Sequence, residues 1–135
     1  EWFESAEAFA KGAHYYRTIG RPKEAAFQLH QAVERFYHCL FLVRTLYSPK
    51  SHNLNRLRDL AEELEPSLKA VWPRETRFEK RCYALLRDAY VKARYSRSYR
   101  ITEEELDWIA QRVTLLQTLV RQACESRIET LAQAA

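Results

Sequence analysis

Apolar residues recur at three- and four-residue steps through most of this chain, interrupted at a few places by proline, glycine and short polar runs. That period is the mark of amphipathic helices packed against one another. A first helix is expected from about Trp2 to Thr18. TIGRP follows, where Gly20 suits a left-handed C-terminal cap and Pro22 the first turn of the next helix. The second helix, from about Pro22 to Tyr47, carries Ala25, Ala26, Leu29, Ala32, Val33, Phe36, Leu40 and Val43 on a broad apolar face. SPKSHN breaks the pattern: Pro49 disfavours helix, and Ser51 or Asn53 can cap a shorter third helix, Leu54 to about Leu64.

After a short apolar turn (Leu68, Val71, Trp72) closed by Pro73, Thr76 and Glu79 stand three apart as a capping box that opens a fourth helix reaching about Tyr95. A second box, Thr102 with Glu105, opens the last helix, and Ile101 is placed to staple against Leu106. Leu106, Ile109, Val113, Leu116, Val120, Cys124 and Ile128 repeat along it, over about 40 Å at 1.5 Å per residue. Long helices with short connections pack as antiparallel neighbours. The expected architecture is therefore all-α, an antiparallel up-and-down bundle of four to five main helices.

Composition agrees: 135 residues make one domain, and two glycines and four prolines leave little material for the turns of an all-β protein. Cys39, Cys82 and Cys124 are an odd number, lie far apart and fall in apolar periodic segments, which points to buried thiols in a reducing cytoplasm. No apolar run approaches the length of a membrane span, and no charged-then-apolar leader opens the chain. A cytoplasmic protein without membrane contact is expected. Because the first residue is Glu1 and not Met, the chain is also expected to be a fragment of, or partner to, something larger.

Charge changes this picture in one segment. From Arg74 to Arg100 there are nine basic residues against three acidic ones, a local +6 in a chain of net +4, which leaves −2 for the remainder. Affinity for polyanions is expected there. On the fourth helix the apolar residues Phe78, Cys82, Leu85, Leu86, Ala89 and Ala93 fall within an arc of about 100°. Tyr83, Arg87, Tyr90 and Arg94 share a second arc about 60° wide, roughly 120° away. Arg97, Tyr99 and Arg100 continue it into the loop. Interleaved rings and guanidinium groups suit phosphate pairing and base stacking, and they equally suit a protein interface. One surface can do both.

Other constellations carry less. His30, Glu34 and His38 share one stripe of the second helix, which is compatible with metal ligation only if further ligands come from another helix. Helix-flank hydrogen bonding is the expected role, with Gln31 and Glu34 reaching a neighbouring helix, and no metal or other cofactor is assigned. His52 is expected to bond backbone near a helix start. His14 is explained by the helix dipole at the end of the first helix. There is no glycine-rich phosphate loop and no local signature of a serine or cysteine nucleophile. Catalytic residues: none.

AAFQLHQAVERFYHCLFLV, then SHNLNRLRDLAEEL, then RDAYVKARYS resembles the HEPN family, the helical domain named from higher eukaryotes and prokaryotes nucleotide-binding. The likeness rests on a Gln-Ala-x-Glu core (Gln31, Ala32, Glu34), a His followed closely by Leu ahead of a helix (His52, Leu54), and a Tyr-x-x-x-Arg-Tyr run (Tyr90, Arg94, Tyr95). It implies an antiparallel bundle, often dimeric, that binds nucleotide or RNA and accompanies a small nucleotidyltransferase domain in cis or in trans, in toxin-antitoxin-like pairs among other contexts. Ribonuclease relatives carry Arg, four to six residues, then His near the start of the last long helix. No arginine stands at that distance before His14, His30, His38 or His52, and no histidine follows Arg94. Ser96 stands where many relatives have proline.

The expected function is a non-catalytic module that dimerises and offers Tyr83, Arg87, Tyr90, Lys92, Arg94, Tyr95, Arg97, Tyr99 and Arg100 to a nucleotide or RNA phosphate, with Lys92 either adding charge or pairing with Asp88. A pure protein-protein interaction module and a ribonuclease with a non-standard site are the alternatives.

Overall fold

The structure, a computed structural model, describes residues 1–134. It is all-α, with α1 at Trp2–Thr18, α2 at Pro22–Thr45, α3 at Leu54–Leu64, α4 at Arg77–Tyr95 and α5 at Glu103–Ala134. A 3-10 turn, Pro66–Ala70, lies between α3 and α4, and there is no strand among the described residues. Among the described residues no helix is long and apolar enough to cross a membrane.

The helix ends follow from local chemistry. After α1, Gly20 takes a φ of 72°, its N–H bonds Arg17 O, and the Arg21 N–H reaches back to Tyr16 O at 2.8 Å. This paired closure needs a left-handed residue at Gly20, and Pro22 then starts α2 at a position where no N–H is required. Asn53 is the residue that caps α3, its Oδ1 accepting the Arg56 N–H at 3.1 Å, while Ser51 Oγ accepts the Asn53 N–H. Both capping boxes form: Thr76 and Glu79 exchange bonds of 3.1 and 2.9 Å, and Thr102 and Glu105 bonds of 3.1 and 2.8 Å. Ile101 and Leu106 are both buried beside the second box, as a staple requires.

Side-chain pairings give the directions. Gly12 meets Gln28 and Phe3 meets Phe36, so α1 and α2 are antiparallel. Glu7 bonds Gln117 and Arg121 while Arg17 pairs with Glu103, so α1 and α5 are antiparallel too. Phe78 against Trp108 and Arg81 against Glu105 set α4 antiparallel to α5. The bundle runs up and down. α2 is its axis, packed on α1, α3, α4 and α5, and buried almost continuously from Leu29 to Phe41. Trp72, which follows the 3-10 turn, enters the core between Tyr83 and Trp108 and donates its Nε1–H to the Tyr37 hydroxyl at 2.9 Å.

Candidate functional site

The Tyr-Arg stripe of α4 does not meet one environment. Its first half faces α3. Tyr83 is buried, donates its hydroxyl to Asn55 Oδ1 at 2.8 Å, packs at a tilt against Trp72 and lies under the Arg58 guanidinium at 4.5 Å. Arg58 is itself held by Glu62 and the Trp72 carbonyl. Beside Tyr83, Arg87 is bonded through Nε to Asp88 at 3.0 Å, and Lys92 reaches the other oxygen of the same carboxylate at 3.3 Å. Two cations expected on a ligand face are thus paired within the chain. Partial burial acts to raise the Asp88 carboxyl, but the two ion pairs together outweigh it and hold the group below its usual range.

The loop residues also differ from the expectation. Tyr99 is a core residue, 5% exposed, whose hydroxyl bonds Leu85 O at 2.7 Å; burial pushes its phenol above the usual range. Its ring closes the corner between α4 and α5 and is not available to a ligand. Arg100 folds onto the carbonyls of Arg97 and Tyr99. Arg97 is exposed and makes no ion pair among the described residues.

The second half of the stripe faces α2 and the loop before α3, and here several groups converge. Arg94 donates Nε to the Tyr90 carbonyl, and its guanidinium lies 4.6 Å over the Tyr90 ring, 4.9 Å over Phe27 and 5.0 Å over Tyr95. No carboxylate pairs with it among the described residues. Lys23, from the first turn of α2, lines the same groove with Phe27, Gln28 and Tyr16, its Nζ 3.5 Å from the Ser96 carbonyl. Tyr95 is largely exposed. Arginine stacked on aromatic rings keeps its terminal N–H groups directed outward while its hydrophobic faces are covered.

Behind Tyr90 stand two histidines, His30 and His52, that the sequence placed on different elements. His52 stacks on Tyr90, centroids 5.5 Å apart and planes 14° from parallel. Its Nδ1 bonds Glu34 Oε1, in place of the backbone bond expected of it. Glu34 is only 2% exposed, a carboxylate built into the bundle interior. Its other oxygen accepts from Gln31 Nε2 at 3.2 Å, and the same amide nitrogen lies 3.3 Å from His30 Nδ1. Because an amide nitrogen only donates, the bond to the carboxylate fixes the orientation of Gln31. His30 Nδ1 must then be the acceptor and Nε2 must carry the hydrogen. That Nε2 is buried without a hydrogen-bond partner among the described residues. Burial, reinforced by nearby His52 and Arg94, lowers His30 to about 4, so the ring is neutral at physiological pH.

His38, one turn beyond Glu34 on α2, bonds Ser48 Oγ and rests against Trp2. The stripe His30, Glu34 and His38 is therefore engaged by Gln31, His52 and Ser48, and it stitches the segment 48–53 to α2. Gln31 bonds within its own helix and does not reach a neighbour. Among the described residues no three His, Cys, Asp or Glu side chains are grouped to hold a metal.

The groove thus sets rings and a guanidinium without a carboxylate partner among the described residues on the α2–α4 pair, with the exposed His52 imidazole beside them on the 48–53 segment, an arrangement suited to an anionic group carried on a planar one. No curated protein matches the chain. The HEPN domain family pattern matches residues 1–123, which takes in α1 through most of α5 and every residue of this groove, and the chain belongs to the HEPN domain family.

Proposed function

We infer that this HEPN domain binds the phosphate of a nucleotide or RNA in the groove between α2, α4 and the 48–53 loop, without chemistry of its own. The observation that carries this reading is Arg94, held by three aromatic rings and free of any carboxylate among the described residues. Arg94 and Lys23 take the phosphate, Tyr95 and the His52–Tyr90 stack offer faces to a base, and Arg97 adds charge at the rim. Arg87 and Tyr83 form a separate surface with Arg74 and Lys80 that serves as a secondary contact. The module dimerises through the apolar residues that the end of α5 exposes, Ile128 and Leu131, and it acts beside a nucleotidyltransferase domain in the cytoplasm.

Titration with ATP, GTP and short single-stranded RNA at low and moderate salt tests the reading. Binding should weaken as salt rises, and Arg94→Ala should weaken it by roughly tenfold or more while Arg87→Ala changes it little. Binding indifferent to Arg94→Ala sinks the assignment.

A ribonuclease reading draws on one specific feature. His52 is oriented through Nδ1 by a buried carboxylate, and its Nε2 has no protein partner among the described residues, the posture of a general base next to an arginine. Cleavage of a structured RNA by metal-free protein, lost in His52→Gln, would favour it; intact RNA favours binding alone.

A further inference from the structure

Cys39 and Cys124 are 85 residues apart, yet α2 and α5 bring their Sγ atoms to 3.9 Å. The third thiol differs: Cys82 is fully buried, has no thiol neighbour, and is pushed up to about 11 by that burial. Cys39 and Cys124 lie at the edge of the core, 9% and 8% exposed. Cys39 also lies beside the first turn of α1, near the Phe3 N–H, one of the donors that a helix N-terminus leaves without an intrahelical partner. A thiol at such a position favours its thiolate.

We propose that Cys39 and Cys124 are a redox pair, in which Cys39 is the peroxide-sensitive thiol and Cys124 the resolving one, and that their disulfide ties α2 to α5. The Cys39 thiolate attacks one oxygen of hydrogen peroxide, the O–O bond breaks, and Cys39 becomes a sulfenic acid as hydroxide leaves and is protonated to water. Cys124, giving up its proton, attacks the sulfenyl sulfur, forms the S–S bond and displaces the second oxygen as water. Two thiols are oxidised and one peroxide is reduced to two waters. The sulfur atoms must close by about 2 Å, to a bond length near 2.05 Å. The hydrogen bond from Cys124 outweighs the opposing effect of burial and brings Cys39 down to about 7, and Cys124 is correspondingly raised.

The disulfide closes most of the chain into one loop and restricts the unfolded state, so oxidised protein should melt at higher temperature than reduced protein. It also fixes α2 one turn beyond Glu34, the residue that anchors His52.

The test is brief treatment of the full chain with hydrogen peroxide, followed by non-reducing peptide mapping and thermal melts. The expected result is an intramolecular Cys39–Cys124 cross-link, reversed by dithiothreitol, with a raised melting temperature. Cys124→Ser should leave a sulfenic acid on Cys39 that dimedone traps, and Cys82→Ser should leave the cross-link unchanged. Should the serine variant misfold, Cys124→Thr, which also keeps a hydroxyl donor beside Cys39, replaces it for the same trapping. Wild-type protein that keeps both thiols alkylatable after peroxide, or that cross-links only between chains, overturns the proposal, as does dimedone labelling of Cys82 ahead of Cys39.

Discussion

At the scale of single residues, buried titratable groups set the response to pH. His30 titrates near 4 in the folded chain, against 6.5 for an ordinary imidazole, because its charged form is excluded from the bundle interior. Between those values the unfolded chain holds a proton that the folded one does not, so falling pH favours unfolding. The contribution is complete above about 6.5, is lost as pH falls towards 4 and changes no further below that; a shift of this size corresponds to roughly 3 kcal/mol. His38 is lowered in the same direction, again first by burial. Urea denaturation near pH 7.5 and near pH 5 should show a marked loss of stability, and His30→Phe, whose ring can rest on Tyr90, should flatten the difference. An unchanged pH slope in that variant would place the acid sensitivity elsewhere.

At the scale of elements, most helix starts are legible in the sequence and one helix end is not. The two capping boxes and the Gly20–Pro22 turn are written as short-range chemistry, and each forms where its residues stand. The end of α2 comes at Thr45, two residues before the expected Tyr47, because Leu46 turns left-handed at φ 60° and its N–H closes on Leu42 O. Leucine gives no signal for that conformation, which costs a side chain with a β-carbon about 1 kcal/mol or more. Leu46 is also 88% exposed and loses no packing when shortened. Leu46→Gly should therefore raise stability by about 1 kcal/mol, read as a higher urea midpoint with an unchanged slope. The stripe on α4 was legible as an arc of side chains but not in what surrounds it. A helical wheel gives the direction of Tyr83 and Tyr90, whereas α3 and the 48–53 loop decide that one is core and the other lies against histidines.

At the scale of the molecule, the long-range polar contacts are what periodicity cannot show. Tyr37 and Trp72 are both buried apolar positions in the sequence pattern, and nothing in their spacing announces the hydrogen bond that fastens the segment between α3 and α4 to α2. Tyr37→Phe keeps the ring and strands the buried indole N–H, so it should cost about 1 to 3 kcal/mol in chemical denaturation, well beyond a conservative surface change. The union of Glu34 with His52 was likewise invisible, since it joins a helix to a segment without regular structure. Its consequence reaches to solvent. What the 48–53 segment displays outside is dictated by a carboxylate inside: sliding α2 along its axis by one turn, about 5.4 Å, would withdraw that leash and leave a single ring contact to keep the imidazole in place.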